Sequence, residues 1–446
     1  MRKILFFLFC SAVLSAQQTV NNDPEIENYV SQISADSLKS HIQKLVSFGT
    51  RHTMSSTTDK KQGIGAARSW VLSKFRTYAK NSGGRMEVFL QNQDLQPDGK
   101  RINKVTNLGN SVAILRGTDP NDKRIFIISG HLDSRVSEVM NANDNAPGAN
   151  DDGSGVGAVI EAARILSKSK FPATLIFVAF SGEEQGLLGA KMMAETAKKE
   201  NWQIEGVLNN DMIGNTLSSD THLTNANQLR VFSEGLPAYQ TKEKANKIRS
   251  LGLENDGDSR QLARYIKEIG ENYVPNLEVK MMYRNDRFLR GGDHTAFVTE
   301  GFAGVRLTEF NENFDHQHQD IRKENGKQYG DLIEFMDFEY FRKNTAVNVS
   351  VLANLAKAPA KPENVLMDVK ELTNYTVINW EQPKSGNVAG YYVLMRDTDS
   401  SVWQKKIYTK GTSVKLPYSK DNYFFAVQSV NATGNTSLPV ITGVGR

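Results

Sequence analysis

Seven histidines occur in the chain, and four of them (His131, His294, His316 and His318) lie among acidic, glycine or asparagine residues rather than on an apolar face. Gly130-His131-Leu-Asp133-Ser134 closes the apolar run Arg124 to Ser129. In His-x-Asp at a strand end, both side chains can point to one side, so a carboxylate can orient a metal-binding imidazole. Pro147-Gly-Ala-Asn-Asp151-Asp152-Gly-Ser-Gly155 sets two adjacent carboxylates in a glycine loop, where they repel unless cations compensate. Ser181-Gly-Glu183-Glu184-Gln-Gly follows directly on the run Thr174 to Phe180. Paired glutamates there have an ordinary reading as a solvated helix start. They also allow a division of labour, one binding a metal and its neighbour taking the proton of an attacking water. Asn210-Asp211-Met212 repeats the theme after Val207-Leu208, and Phe314-Asp-His316-Gln-His318-Gln-Asp320 offers two more imidazoles. Imidazole nitrogen with carboxylate oxygen is a zinc donor set, in low-coordinate sites that keep a position for water.

Elements of a particular kind must position these groups. Ser111 to Arg116, Arg124 to Ser129 and Thr174 to Phe180 are short apolar runs with strand character, whereas Gly155 to Lys168 and Leu187 to Lys199 have helical period. Residues 26 to 80 read mostly as helix, with Ser37 and Thr58 near plausible starts. Strands alternating with helices predict an α/β domain whose mostly parallel, twisted sheet is flanked by helices. In such sheets ligands bind beyond the carboxyl ends of the strands. The histidines and carboxylates fall where the runs stop. Gly153-Ser-Gly155-Val-Gly-Ala158 satisfies a dinucleotide template, but Asn-Asp-Asp precedes it instead of a strand, and two carboxylates would repel a pyrophosphate.

At 446 residues the chain is long enough for two domains. Its 39% hydrophobic and 23% charged residues are those of a globular protein. Residues 1–16 read as a secretory leader: Arg2 and Lys3, the apolar stretch Ile4 to Leu14, then small Ser15 and Ala16. Cleavage there removes Cys10, the sole cysteine, and two positive charges, so a formal +4 becomes +2. The product is expected to be secreted, extracellular or periplasmic, without disulfides or a membrane anchor. Without a cluster of Lys and Arg interleaved with aromatics, no nucleic-acid partner is expected. Ala358-Pro-Ala-Lys-Pro362 reads as a linker between a catalytic domain at 17–357 and a module at 358–446. In the latter, strand-like runs recur between turn residues, the pattern of a small all-β sandwich. The spacing of Trp380, Tyr391-Tyr392-Val393-Leu394, Leu416, Tyr423 and Asn431 resembles a fibronectin type III module, expected to serve as a spacer or to bind a surface or another protein.

The linked strings Gly130-His131-Leu-Asp133-Ser134, Asn150-Asp151-Asp152-Gly-Ser-Gly155, Gly182-Glu183-Glu184-Gln-Gly-Leu and Asn210-Asp211-Met212 together resemble the M28 family of zinc aminopeptidases across most of residues 30 to 355. The resemblance implies two zinc ions per chain. Asp151 would bridge them, His131 and Asp211 would complete one site, and Glu184 with the last histidine the other. Glu183 would be the general base and Asp133 would orient His131. His318 is favoured as the last ligand, with His316 as the alternative; with His318 in that place, Arg322 stands where the family has a later Asp. Gly291-Gly-Asp293-His294-Thr-Ala-Phe297 resembles the family element bordering the substrate pocket. That makes His294 a substrate-binding candidate, together with Tyr283 and Arg287 just before it; Arg290 lies in the same stretch. His41, His52 and His222 read as structural. The implied activity is removal of N-terminal residues from peptides by attack of an activated water. The alternatives on the same scaffold are a carboxypeptidase or dipeptidase, with Arg287 or Arg290 holding a carboxylate, and a glutaminyl cyclase-like transferase.

Overall fold

The computed structural model describes residues 22–445, so the expected leader and Cys10 lie outside the described residues. Three helices come first: α1 (Pro24–Ser31), α2 (Ala35–Val46) and α3 (Gly63–Ala79). Their starts are written locally. Pro24 takes the first position of α1 while the Asp23 carboxylate accepts the Glu25 amide, and Ser34 caps α2. The helix expected over 26–80 is interrupted by loops at residues 47–62, and α3 starts at Gly63 rather than near Thr58. Gly63 has φ +82°, and a Cβ there would lie 2.7 Å from the Ser56 carbonyl oxygen, so only glycine enters the helix by this route.

The body is an eight-stranded sheet of β1 (Met86–Leu95), β2 (Thr106–Leu115), β3 (Arg124–His131), β4 (Thr174–Phe180), β5 (Gln203–Asn210), β6 (Gln228–Phe232), β7 (Glu278–Met282) and β8 (Gly304–Glu309). Its spatial order is β1-β2-β4-β3-β5-β8-β6-β7. The central strands β4, β3, β5 and β8 are parallel, while β1/β2, β2/β4 and β6/β8 pair antiparallel, so the sheet is mixed with a parallel centre. Alternate residues of β3 and β4 supply two separate cores, because successive side chains leave opposite faces. Phe126, Ile128, Phe177 and Ala179 pack with α2, α4 (Gly153–Leu166), α7 (Asp258–Tyr273) and α9 (Phe338–Lys357). Ile127, Ile176, Val178 and Phe180 pack with α5 (Leu188–Lys199) and α8 (His294–Thr299). Helix α6 (Lys242–Leu251) buries nothing and lies outside both cores. No helix among the described residues is long and apolar enough to cross a membrane.

A small hairpin, β9 (Arg322–Glu324) with β10 (Lys327–Tyr329), precedes α9. Beyond residue 362 lie β11 (Glu363–Asp368), β12 (Thr376–Glu381), β13 (Gly390–Asp397), β14 (Lys405–Thr409), β15 (Ser413–Leu416), β16 (Tyr423–Val430), β17 (Val440–Ile441) and β18 (Gly443–Gly445). They form two four-stranded sheets, β15-β12-β11-β18 and β14-β13-β16-β17, which share a core around Trp380, Tyr391, Val393 and Phe425. This module is docked rather than tethered. Arg124, at the start of β3, donates to the carbonyls of Ala358 (2.7 Å) and Pro359 (3.1 Å), pinning the segment read as a linker. Leu438 belongs to the core of the α/β domain. The Tyr265 hydroxyl of α7 donates to Thr436 O at 2.7 Å.

Candidate metal centre

His131 is the last residue of β3, Glu183 and Glu184 follow β4, Asp211 follows β5, and His318 lies in the loop after β8. These four strands are parallel neighbours, with His131 level with Phe180 and Ser129 level with Asn209, so their carboxyl ends open at one place. Asp151 enters from the loop before α4. Its neighbour Asp152 ties the loops together: Oδ2 accepts the His131 amide (2.8 Å), and Oδ1 accepts the amides of Gly155 (2.8 Å) and Met212 (3.2 Å).

Two donor groups result, His131 with Asp151 and Asp211, and Asp151 with Glu184 and His318. Within each, the ligand atoms lie within 4.8 Å of one another. His131 Nε2 is 3.0 Å from Asp151 Oδ1 and 3.9 Å from Asp211 Oδ1. His318 Nε2 is 3.0 Å from Asp151 Oδ2 and 2.9 Å from Glu184 Oε1. Asp151 thus turns one carboxylate oxygen to each group, and Gln317 Nε2 donates to its Oδ2 at 2.9 Å. His131 Nδ1 donates to the Asp133 backbone carbonyl at 3.0 Å, which leaves Nε2 free to bind a metal.

The charges of the site demand cations. Burial works against the imidazolium of His131, yet Asp151, Asp152 and Glu183 overcome it and hold its pKa well above the usual histidine value. Burial likewise opposes a charged His318, but Glu184 and Asp151 raise it to about 10. Burial, reinforced by Glu184 and Asp211 against the pull of His131, pushes the Glu183 carboxyl well above its usual range. These carboxylates favour positive charge at both imidazoles, and a zinc ion held by His131 Nε2 and His318 Nε2 would supply it. The donor set fits zinc.

The remaining expected residues are placed unevenly. His316 does not join either group. Its ring stacks on Phe335 with centroids 3.8 Å apart and planes 9° from parallel, and burial lowers its pKa to about 4. The carboxylate of Asp133, expected to orient His131, stays 3.8 Å from Nδ1 and accepts backbone amides instead. Arg287 lines the cleft over the two groups, with Nη2 4.0 Å from Asp211 Oδ2. Tyr283 and His294 are not among the residues that line it. The Tyr283 ring lies under the Arg260 guanidinium (3.6 Å), with its hydroxyl near Ser401 of the sandwich, and His294 is buried with Nε2 donating to Asn285 O at 2.7 Å. Neither lines the cleft, and His294 instead holds the loop that carries Arg287 through Asn285.

The structure adds residues that motif reading passed over. Arg306, fully buried in β8, contacts Asp211 Oδ1 at 2.8 Å and Asp286 Oδ1 at 3.2 Å. An arginine inside the run Gly304-Val-Arg306-Leu307 was the sign available in the sequence. Arg135 Nε lies 3.2 Å from Glu184 Oε2, and its Nη2 lies 2.8 Å from His318 Nδ1. Arg101, which donates to Glu184 O, lines the cleft as well.

Fold, donor groups and relatives together define a zinc metallopeptidase. The chain belongs to peptidase family M28, whose model matches residues 110–335. A probable zinc metalloprotease of Leptosphaeria maculans is 44% identical over 419 residues, covering 94% of this chain and 96% of that protein. Among solved structures, the LapA aminopeptidase of Legionella pneumophila aligns with 76% of each chain at 19% identity and a TM-score of 0.53. A glutaminyl cyclase of Porphyromonas gingivalis aligns with 72% of this chain and 98% of its own at 17% identity and a TM-score of 0.50. These two likenesses concern the fold alone.

Proposed function

We propose that the chain is an exported dizinc exopeptidase that releases N-terminal residues from peptides. The observation that carries this reading is the placement of Asp151, with one oxygen toward each donor group. His131, Asp151 and Asp211 would hold one ion, and Asp151, Glu184 and His318 the other. Zinc bound there supplies a Lewis acid for the scissile carbonyl and lowers the pKa of water. Glu183, at the cleft and outside both donor groups, takes the proton of the attacking water and returns it to the leaving amine. Export is inferred from the Arg2-Lys3 start and the apolar stretch behind it. The C-terminal sandwich is read as a fibronectin type III-like module from its strand spacing. The N-terminal direction leans on the aminopeptidase among the fold relatives.

The arginines of the cleft favour a second reading, a carboxypeptidase or dipeptidase on the same scaffold. A third is a glutaminyl cyclase-like transferase, which shares the fold. Purified protein given amino-acyl nitroanilides, N-blocked peptides and C-amidated peptides, with and without a chelator, separates them. The expected result is chelator-sensitive release from the nitroanilides and amidated peptides with two zinc ions per chain. Cleavage of N-blocked but not amidated peptides reverses the direction. Glu183→Gln should keep both ions and lose about 10²-fold or more in rate.

A further inference from the structure

One wall of the cleft carries more guanidinium groups than carboxylates to balance them. Glu312, whose side chain is 7% exposed, is shared by three arginines: Arg230 Nη2 at 2.7 Å, Arg287 Nη1 at 3.3 Å and Arg290 Nη1 at 3.3 Å. Asp286 is divided between Arg287 and Arg306. Arg306 also leans on Asp211, whose charge a metal ion would claim. Four guanidiniums therefore share three carboxylates, one of which, Asp211, belongs to a donor group. Arg287 is nearly buried against Asp286 and Glu312, with Asp211 at 4.0 Å. Arg290, its side chain 34% exposed toward the cleft, has only the shared Glu312 as counter-charge among the described residues, so the guanidinium open to a ligand is that of Arg290. Arg287 and Arg290 both line the cleft above the donor groups, the one bordering Asp211 and the other Gln317. If these arginines only held Glu312 in place, one of them would suffice.

We propose that Arg287 and Arg290 form an anion subsite that receives a carboxylate of the substrate, so that this cleft prefers peptides bearing one near the scissile bond. The proposal rests on the exopeptidase reading of the cleft. A carboxylate matches the planar guanidinium fork and draws two charge-assisted hydrogen bonds from it. It can come from an acidic side chain or from the α-carboxylate of a dipeptide, and the geometry serves either.

The test compares matched substrates on the zinc-loaded full chain: Leu-Leu against Leu-Leu-amide, glutamyl against glutaminyl nitroanilide, and Leu-Glu-amide against Leu-Gln-amide. At least one acid is expected to exceed its neutral partner about tenfold or more in kcat/KM, the size of a charge-assisted hydrogen bond. The first pair reports an α-carboxylate, the others an acidic side chain. Arg290→Gln should bring that ratio close to one, and Arg290→Lys should restore part of it. Ratios at or below one in all three pairs, with the neutral peptides still cleaved, overturn the subsite and leave the exopeptidase reading intact; so does a preference that survives both Arg287→Gln and Arg290→Gln. Failure to cleave any peptide removes both readings. The substrate pairs are read on the unmodified chain, so the outcome does not depend on a variant's folding.

Discussion

The carboxylate of Asp133 holds the backbone of Glu184: Oδ2 accepts the Glu184 amide at 3.1 Å, while Oδ1 accepts that of Glu183 at 3.2 Å. Thr53 Oγ1 donates to Oδ2 at 3.0 Å, so this fully buried acid receives three donors. The loop after β3 thereby fixes the turn after β4, and one acid sets the positions of the proposed base and of a proposed ligand.

Asp133→Asn keeps the shape but turns an NH2 group toward backbone donors. The turn must then shift. A loss of roughly 10–100-fold in zinc affinity is expected, the usual scale for groups that orient ligands. Competition with a chelator of known affinity measures it, and unchanged affinity would show that the turn holds itself.

Zinc counts per chain should separate the ligand positions. Asp151→Ala removes an oxygen from both groups and is expected to abolish binding of both ions, whereas His131→Ala and His318→Ala should each cost one. His316→Ala should keep the full count and instead lose about 1–2 kcal/mol of stability, because its ring stacks on Phe335. A lost ion at His316 together with a full count at His318 would refute the assignment.

His131, Glu184 and Asp211 were legible because each ends or follows an apolar run that could be read as a strand, and parallel neighbours bring such ends together, whereas Asp151 was legible only as one of two adjacent carboxylates in a glycine loop. The choice between His316 and His318 was not, since it turns on a stacking partner, Phe335, supplied by a later segment. The role of Asp133 also escaped motif reading. Its spacing from His131 suggested an imidazole partner, but the amides of another loop lie closer. Arg306 reaches Asp211 only because β8 lies beside β5, an adjacency that no local pattern reveals. The segment 358–362 has the composition of a linker, and the residue that pins it, Arg124, is far away in the chain.

Glu161 on α4 makes stability depend on acid. Its carboxylate is buried and receives Arg164 (2.7 and 2.9 Å) and Ser37 (2.9 Å), with His41 at 3.5 Å. Burial alone would raise its pKa, but Arg164 and His41 outweigh burial and bring it to about 2, against an ordinary 4.5. A depressed folded value stabilises fully above pH 4.5, and the benefit drains away as pH falls toward 2. The shift corresponds to about 3 kcal/mol. Glu161→Gln should therefore be less stable than the parent at pH 7 and lose less between pH 4.5 and 2, as followed by urea unfolding. Parallel losses in both proteins would contradict this origin.

Asp256 joins the two domains and should make them unfold as one. Its buried carboxylate contacts Arg264 of α7 at 2.9 Å and Arg396 of the sandwich at 2.7 Å. Arg396 in turn packs on the rings of Phe424 (4.2 Å) and Trp403 (5.4 Å). Asp256→Asn would leave two buried guanidiniums facing each other without a counter-charge, a change that costs about 3–5 kcal/mol. The loss falls at the junction rather than inside either core. Calorimetry is therefore expected to show one transition for the parent and two for the variant, with the sandwich melting first. Replacing the whole triad by apolar residues (Asp256→Leu with Arg264→Met and Arg396→Met) should recover much of the loss, because it removes the stranded charges together with their partner. A single, unshifted transition in Asp256→Asn would mean that Arg124 and Tyr265 suffice to hold the domains together.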